Sequence, residues 1–482
     1  MLNKEIVEKT SWTVCSECHG NGKKSHGLSK KARFLYQKAL VQFENSNGDG
    51  IAPVRPKGHL YSCSNCSGSG LIATSNCSIS ANENYPHVAI IGAGIGGVAL
   101  ALACFHRKIP FTIFERDNNF EARAQGYGLT LQQASIAIKG FGIFSLNEGV
   151  ISTKHIVHNT KGNVIGEWGI RKWLQSEAKT TTKRSNIHIS RQALRLAMLE
   201  QLGEKNIQWG HQLIDFKQSE DNCMELNFKV NDEIVSAKAD IVVGADGIRS
   251  SVRRLLIGDE ISPLRYLGCI VILGICPLKT LENLKSPLLD SATVFQTANG
   301  NERIYIMPYS KDAVMWQLSF PISEKDAKTL STLGPKALKE EACKRTQWHT
   351  PIPQILAATL ETQISGYPVY DRELLTSELL EKGKQATLIG DAAHPMSPFK
   401  GQGANQALID ALTLARGIYK GCNSESEWKK NGVRKSVLTE FESEMLKRSA
   451  IKVTDSAEAA QFLHSEKVLH ESNEPRGQRL KD

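Results

Sequence analysis

The sequence predicts an α/β protein: a Rossmann-like dinucleotide-binding sheet, a second sheet-forming domain interleaved with it, a small cysteine-rich module in front and helices at the C-terminal end. Three observations carry that expectation. A β-branched run at 87–91 leads into a glycine-rich turn, an Ala/Leu-rich helical pattern and a second strand pattern at 111–114, which together make a βαβ opening. Alternating segments at 154–168, 224–238 and 292–320 carry turn signals at Thr160-Lys161-Gly162, Val230-Asn231-Asp232 and Asn299-Gly300, and read as antiparallel strands of another sheet. Two copies of C-x-x-C-x-G-x-G, beginning at Cys15 and Cys63, precede both.

The bulk numbers agree with an ordinary globular protein of two or three domains: 482 residues, 41% hydrophobic and 23% charged. A formal charge of +9 favours anionic ligands, but it is spread along the chain, so nucleic acid is not the expected partner. The longest apolar stretch, 88–105, holds four glycines and reads as strand, turn and helix, so no transmembrane segment is expected. Residues 1–10 mix acids and lysines without the apolar run of a secretory signal, which points to a cytoplasmic, reducing location. Eleven cysteines then call for a reading other than disulfides.

Residues 1–80 read as a four-cysteine module and linker, closing with a polar Ser/Asn-rich exit at 74–84. Four thiolates, Cys15, Cys18, Cys63 and Cys66, suit a tetrahedral structural Zn2+ site, with the glycines letting backbone N–H groups turn towards sulfur. Both knots resemble the cysteine-rich zinc modules of DnaJ-type chaperones. A redox dithiol and unrelated buried cysteines are the alternatives, and the pairing of two like motifs argues against each. Residues 28–43 read as a basic amphipathic helix, Cys77 as a spare thiol and His19 as a neighbour of the metal. The module is net basic, which leaves open a protein partner, an RNA or none.

In the βαβ opening, Gly92, Gly94 and Gly97 have the G-x-G-x-x-G spacing between strand and helix. Gly92 permits the tight turn, Gly94 lets the backbone approach a pyrophosphate, and Gly97 lets the helix pack on the strand. Glu115 ends the second strand where a carboxylate can accept from a ribose diol, with Arg116 beside it. Alone the motif means FAD or NAD, and a ligand-free glycine turn is the bland reading.

Two later segments narrow the choice. A strand ends in Gly244-Ala245-Asp246-Gly247 followed by Arg249-Ser250, and another ends in Gly390-Asp391-Ala392-Ala393-His394 followed by Pro395, Pro398, Gly401, Gly403, Ala404 and Asn405. In that order these motifs resemble group A flavoprotein monooxygenases, the aromatic-hydroxylase family. The resemblance implies a discontinuous FAD-binding domain within 85–400 (about 85–150, 185–260 and 375–420). A mixed β-sheet substrate domain (about 151–184 and 261–374) would interleave with it, and C-terminal helices and a tail would occupy 421–482. It also implies that Asp391 accepts from the ribitol hydroxyls of FAD, that Asp246 lies at the pyrophosphate, and that Arg191 reaches the FAD from the helix capped by Ser190. A helix-cap role for Asp391 and a turn role for Asp246 are the structural alternatives. Arg123 holds a similar place in the first crossover, with a surface salt bridge as its alternative. The turn at 395–403 feeds a helix whose N-terminal N–H groups would face the anionic edge of reduced flavin, where Lys400 could add charge.

Only one dinucleotide fingerprint is visible, which the resemblance explains by transient NAD(P)H binding in the same cleft. The implied reaction is hydroxylation of an electron-rich aromatic or polyketide-like small molecule through a C4a-hydroperoxyflavin, with the cofactor carrying the chemistry. Pocket candidates are Phe295, Tyr305, Met307, Trp316 and Leu318 on one strand face, together with His394, Pro395 and the rest of the 395–399 turn; core packing is the alternative for each. Trp316-Gln317-Leu318-Ser319-Phe320-Pro321 faintly resembles the W-x-W-x-I-P segment of flavin-dependent halogenases, lacking its second tryptophan and its isoleucine. A lipid reductase of the geranylgeranyl type, and a flavoprotein working through its zinc module, are the other readings.

Overall fold

The structure is a computed structural model that describes residues 11–46, 49–50, 52–56, 58–75, 81–123, 126–169, 186–203 and 206–475. Its two compact units are Met1–Ile79 and Ser80–Asp482. Cys77 lies outside the described residues.

The first unit is a pseudo-symmetric pair of knuckles. Strand Ser11–Val14 pairs antiparallel with Leu71–Thr74, and Lys23–Ser25 pairs with Leu60–Ser62. The Cys15 N–H donates to the Gly70 carbonyl and the Cys63 N–H to the Gly22 carbonyl, both at 2.9 Å, so each knuckle closes on the other's last glycine. The sequence repeat becomes a conformational repeat: Gly22 and Gly70 have φ of 70° and 83°, a left-handed region that glycine enters without penalty. Between them runs the helix Lys30–Asn45, capped by Ser29, whose Oγ accepts from the Ala32 N–H at 3.1 Å. This helix buries none of its side chains within the unit.

The second unit is organised by a five-stranded parallel sheet in the order Ile207–Trp209, Phe111–Glu115, Val88–Ile91, Ile241–Gly244, Ala386–Leu388. The last three are buried along their whole length, as expected for a parallel sheet covered on both faces. Helix Ile95–Phe105 is apolar almost all round because it is buried almost all round, with helix Gly403–Gly421 packed on it at the small residues Gly96 and Ala407. An antiparallel sheet of Gln212–Gln218, Met224–Val230 and Glu233–Ala239 sends Leu213, Leu226 and Phe228 into the same core. The hairpin anticipated at 224–238 therefore belongs with the dinucleotide-binding sheet and not with the second sheet.

The second sheet has seven strands, in the order Val164–Trp168, Lys154–His158, Thr293–Ala298, Arg303–Ser310, Ala313–Pro321, Leu264–Pro277, Ile364–Arg372. Lys154–His158 and Thr293–Ala298 run parallel, and the other neighbours antiparallel. Helices Glu324–Thr332, Pro335–Arg345 and Ile352–Ala358 cover one face around Ile304, Trp316 and Leu318. The other face fronts the cleft. The C-terminal helix Thr439–Leu463 joins the two halves: Phe441 and Met445 pack in the first core, Ala459 and Leu463 against Ala298 of the second sheet. Among the described residues no helix is long and apolar enough to cross a membrane.

Candidate active site and cysteine cluster

A cleft of about 1040 Å³ runs from the glycine turn, past the Asp391 turn, to the open face of the seven-stranded sheet. That volume lies at the upper end of the range for small-molecule sites. Gly94, Arg191, Ala245, Gly247, Arg249, Gly390, Asp391, Gly401, Gly403 and Ala404 all line it. Three motifs separated by about 150 residues each thus meet on one surface.

The close approaches explain the glycines. Gly92 has φ 104°, and a Cβ there would stand 2.8 Å from the Ala245 carbonyl oxygen. A Cβ at Gly97 would stand 1.9 Å from the Gly92 carbonyl oxygen. Neither residue lines the cleft; they let the helix start close enough for Gly94 to do so. Glu115 is buried, and its Oε2 accepts from the Ala93 N–H at 2.7 Å while Oε1 accepts from the Asp117 N–H at 3.0 Å. It holds the glycine turn from behind. Arg116 is exposed and away from the cleft lining. Arg123 ends the short helical turn Phe120–Arg123, and its side chain lies outside the described residues.

Arg191 begins the helix Arg191–Leu202, which Ser190 caps by accepting from the Ala193 N–H at 2.9 Å. Its Nη1 donates to the Tyr127 hydroxyl at 2.8 Å, and a side chain at Gly94 would come within 3.7 Å of its Nη2. The guanidinium is held over the glycine turn, where a pyrophosphate would sit.

Asp391 opens onto the cleft at the N-terminus of helix Gly403–Gly421, since a Cβ at Gly403 would lie 3.4 Å from its Oδ1. Protein walls enclose this part of the cleft, and desolvation raises the Asp391 pKa against the pull of His394 and Arg191. Such a carboxylate favours hydrogen-bond donors from a ligand. Lys400 also lines the cleft, its pKa lowered by burial.

Five more expected site residues, Asp246, Asn405, His394, Trp316 and Leu318, serve the scaffold instead. Asp246 accepts from the Ser250 hydroxyl, the Ser251 N–H at 2.7 Å and the Val252 N–H at 3.3 Å, so its carboxylate caps the helix Ser251–Ile257. Asn405 is fully buried: its Oδ1 accepts from the Gln132 and Ala134 N–H groups and its Nδ2 donates to the Thr130 and Gly401 carbonyls. His394 is buried off the cleft, its Nε2 donating to Asp410 Oδ2 at 2.7 Å. Trp316 stands on the helix-covered face of the sheet, its indole N–H donating to Thr359 Oγ1 at 2.9 Å. Leu318 lies with it, whereas Phe295, Tyr305, Met307 and Pro395 do border the cleft. In the strand Ala313–Pro321 the cleft-lining residues are Met315 and Gln317, one residue out of step with the expectation.

Sequence reasoning missed the residues that hold the Asp391 turn. Arg253 donates from Nη1 to the Ala392 and Ala393 carbonyls at 3.0 and 2.9 Å, and burial pushes its pKa down to about 10. Asp410 accepts from the Gly390 N–H at 2.9 Å and pairs with Arg448 at 2.7 Å. Burial works to raise the Asp410 pKa, but His394 and Arg448 outweigh it and keep the carboxyl below its usual range. Arg195 donates from Nε to the Ala93 carbonyl at 2.7 Å. A buried charge needs a partner, and here the partners are the turns that form the site.

In the first unit the sulfurs of Cys15, Cys18, Cys63 and Cys66 all lie within 4.8 Å of one another. Cys15 and Cys63 are 4.0 Å apart and Cys18 and Cys66 3.7 Å, against about 3.8 Å for thiolates at tetrahedral corners about 2.3 Å from zinc. The Gly22 and Gly70 N–H groups donate to Cys18 and Cys66 sulfur at 3.2 Å, and Asn65 Nδ2 to Cys15 sulfur at 3.4 Å. His19 is exposed and outside the cluster.

A dinucleotide-binding sheet, a second sheet and a shared cleft between them define a flavin-site architecture. Residues 85–427 match the family of the FAD binding domain, and the chain belongs to that family. The aurachin C monooxygenase/isomerase of Stigmatella aurantiaca is 29% identical over 334 residues, covering 68% of this chain and 79% of that protein. The 6-hydroxynicotinate 3-monooxygenase of Pseudomonas fluorescens is 24% identical over 340 residues, covering 69% and 82%. The structure of Klebsiella pneumoniae HpxO with FAD and uric acid shares the fold, at a TM-score of 0.64 and 18% identity over 79% of this chain and 89% of that one. By this kinship the chain is an FAD-dependent monooxygenase. A halogenase is not favoured, since the one tryptophan of that resemblance faces away from the cleft.

Proposed function

We propose that this protein is an NAD(P)H-using hydroxylase of an electron-rich aromatic or polyketide-like small molecule, carrying a structural zinc in its N-terminal unit. What carries the reading is the convergence of the Gly94 turn, the Asp391 turn and the open sheet face on one cleft. FAD, when bound there and reduced by a pyridine nucleotide, supplies the activation of oxygen.

The protein's part is binding, orientation and exclusion of water. The helix start at Gly94 and the Arg191 guanidinium would hold the pyrophosphate, and Asp391 would hold the ribitol. The N-terminus of helix Gly403–Gly421 would stabilise negative charge on the bound flavin's pyrimidine edge. Met307 and Met315 line an apolar wall beside the substrate, where water would otherwise compete for activated oxygen. No acid–base triad is required of the chain.

Four sulfurs at tetrahedral spacing, with N–H groups aimed at them, support zinc in the first unit. A partner docking on that unit is the further part of this reading.

The test is anaerobic reduction of the purified yellow protein by NADPH and by NADH across a library of phenols, hydroxy-heteroarenes and polyketides, followed by oxygen and mass spectrometry. The expected result is accelerated reduction with one library class and a product heavier by one oxygen atom. A colourless protein that takes up no FAD, or reduction that no compound accelerates, refutes it.

A further inference from the structure

Arg303 sits at the start of the strand Arg303–Ser310, 4% exposed, on the cleft. Its Nε donates to Gln296 Oε1 at 2.7 Å and its guanidinium lies 4.9 Å from the Tyr305 ring centre. Among the described residues, no carboxylate forms a salt bridge with it. The other buried arginines of the cleft region are occupied: Arg253 by carbonyls and Ser262, Arg195 by the Ala93 carbonyl and two aromatic rings.

Among the described residues the two terminal nitrogens of Arg303 have no hydrogen-bond partner, yet they are not among the sealed polar atoms, so they are reached from the cleft. Burial lowers the Arg303 pKa to about 10, which leaves the group cationic at neutral pH. Of the acids that line the cleft, Asp391 interacts with His394 and Arg191, and Asp455 and Glu458 act on Lys400. His464, close enough to feel Arg303, is held neutral chiefly by its own burial, with a pKa of about 4. A buried cation with its fork open and no counter-ion is costly unless something completes it.

The surroundings say what would. Gln296, Tyr305 and Gln317 stand directly across from one another in the sheet register, all on the cleft. They make a polar end to a wall whose other end is Met307 and Met315. A planar fork beside amide and phenol groups fits two oxygens of one flat anion.

We propose that Arg303 binds an oxyanion of the substrate, a ring-borne carboxylate or an ionised phenol or enol, so that the molecule hydroxylated here is an organic acid. This rests on the reading of the cleft as the substrate site. Calorimetric titration of FAD-loaded protein with matched pairs tests it without turnover: benzoate against benzamide and cinnamate against cinnamamide for the carboxylate, para-nitrophenolate against para-nitroanisole for the phenolate. The expected result is tighter binding of the charged member by about tenfold or more in at least one class, lost in Arg303→Gln and partly kept in Arg303→Lys. Equal binding within every pair, no binding of any anion, or a preference that survives Arg303→Gln overturns it. The wild-type comparison needs no variant, so poor folding of Arg303→Gln does not shelter the proposal. Failure to load FAD refutes the flavin reading instead, and the same titrations on that protein still decide Arg303.

Discussion

Of two adjacent glycines, one should tolerate an added methyl group and the other should not. At Gly97 a Cβ would stand 1.9 Å from the Gly92 carbonyl oxygen and 3.3 Å from Ala245 Cβ. Real Cβ contacts stay beyond about 3 Å, so the helix Ile95–Phe105 must move off the strand by more than about 1 Å, and neither partner is a flexible side-chain end. Overpacking of this kind destabilises by about 1–3 kcal/mol. The displacement also carries the Gly94 N–H group away from a bound pyrophosphate, and each 1.4 kcal/mol lost there weakens FAD binding about tenfold. At Gly96 the same methyl would meet Ala407 Cβ at 3.5 Å, an ordinary contact, and alanine is the better helix former by about 1 kcal/mol. Gly97→Ala is therefore expected to bind FAD about ten- to a hundredfold more weakly, with a lower unfolding midpoint, while Gly96→Ala stays near wild type. Flavin fluorescence titration of the apoprotein and denaturant unfolding measure the two. Equal FAD affinity for Gly97→Ala and wild type would refute the close-approach argument.

Zinc analysis should give one ion per chain; Cys63→Ser should lose it and make 11–75 sensitive to protease while flavin content is retained, because structural zinc supplies on the order of 10 kcal/mol of local folding energy. Intact protease resistance of the metal-free form would count against the site. Trp316→Phe should lower stability by about 1–3 kcal/mol through loss of the bond to Thr359 and leave reduction and oxygenation kinetics unchanged; altered kinetics would put Trp316 back in the chemistry. His188 is fully buried, and burial, aided by His155, lowers its pKa to about 3, against about 6.5 in the unfolded chain. The unfolded state takes the proton first, so stability present above about pH 6.5 is lost on acidification towards 3, by about 2 kcal/mol at pH about 5. His188→Gln should flatten that part of the curve, and an unchanged slope in chemical denaturation would remove His188 as the cause.

Local chemistry made much of this legible. Glycine spacing after a β-branched run, the two later turns, and paired C-x-x-C-x-G-x-G knots are short-range signals, because each reports a backbone shape that a few consecutive residues impose. Hairpins at 154–168 and 292–320 could be read from alternation and turn residues for the same reason. Alternation says which residues share a face but not which face meets helices, and so it points to Trp316 and Leu318 for the cleft, whereas Met315 and Gln317 line it. Partners more than a hundred residues apart leave no local trace: Asn405 on Gln132 and Thr130, Arg253 on Ala392, the cleft in which no described carboxylate pairs with Arg303. By itself the sequence determined the turns, the knuckles and the order of elements. Only the tertiary structure decided which polar groups serve the cleft and which hold it in shape, since that depends on what folding brings next to each buried charge.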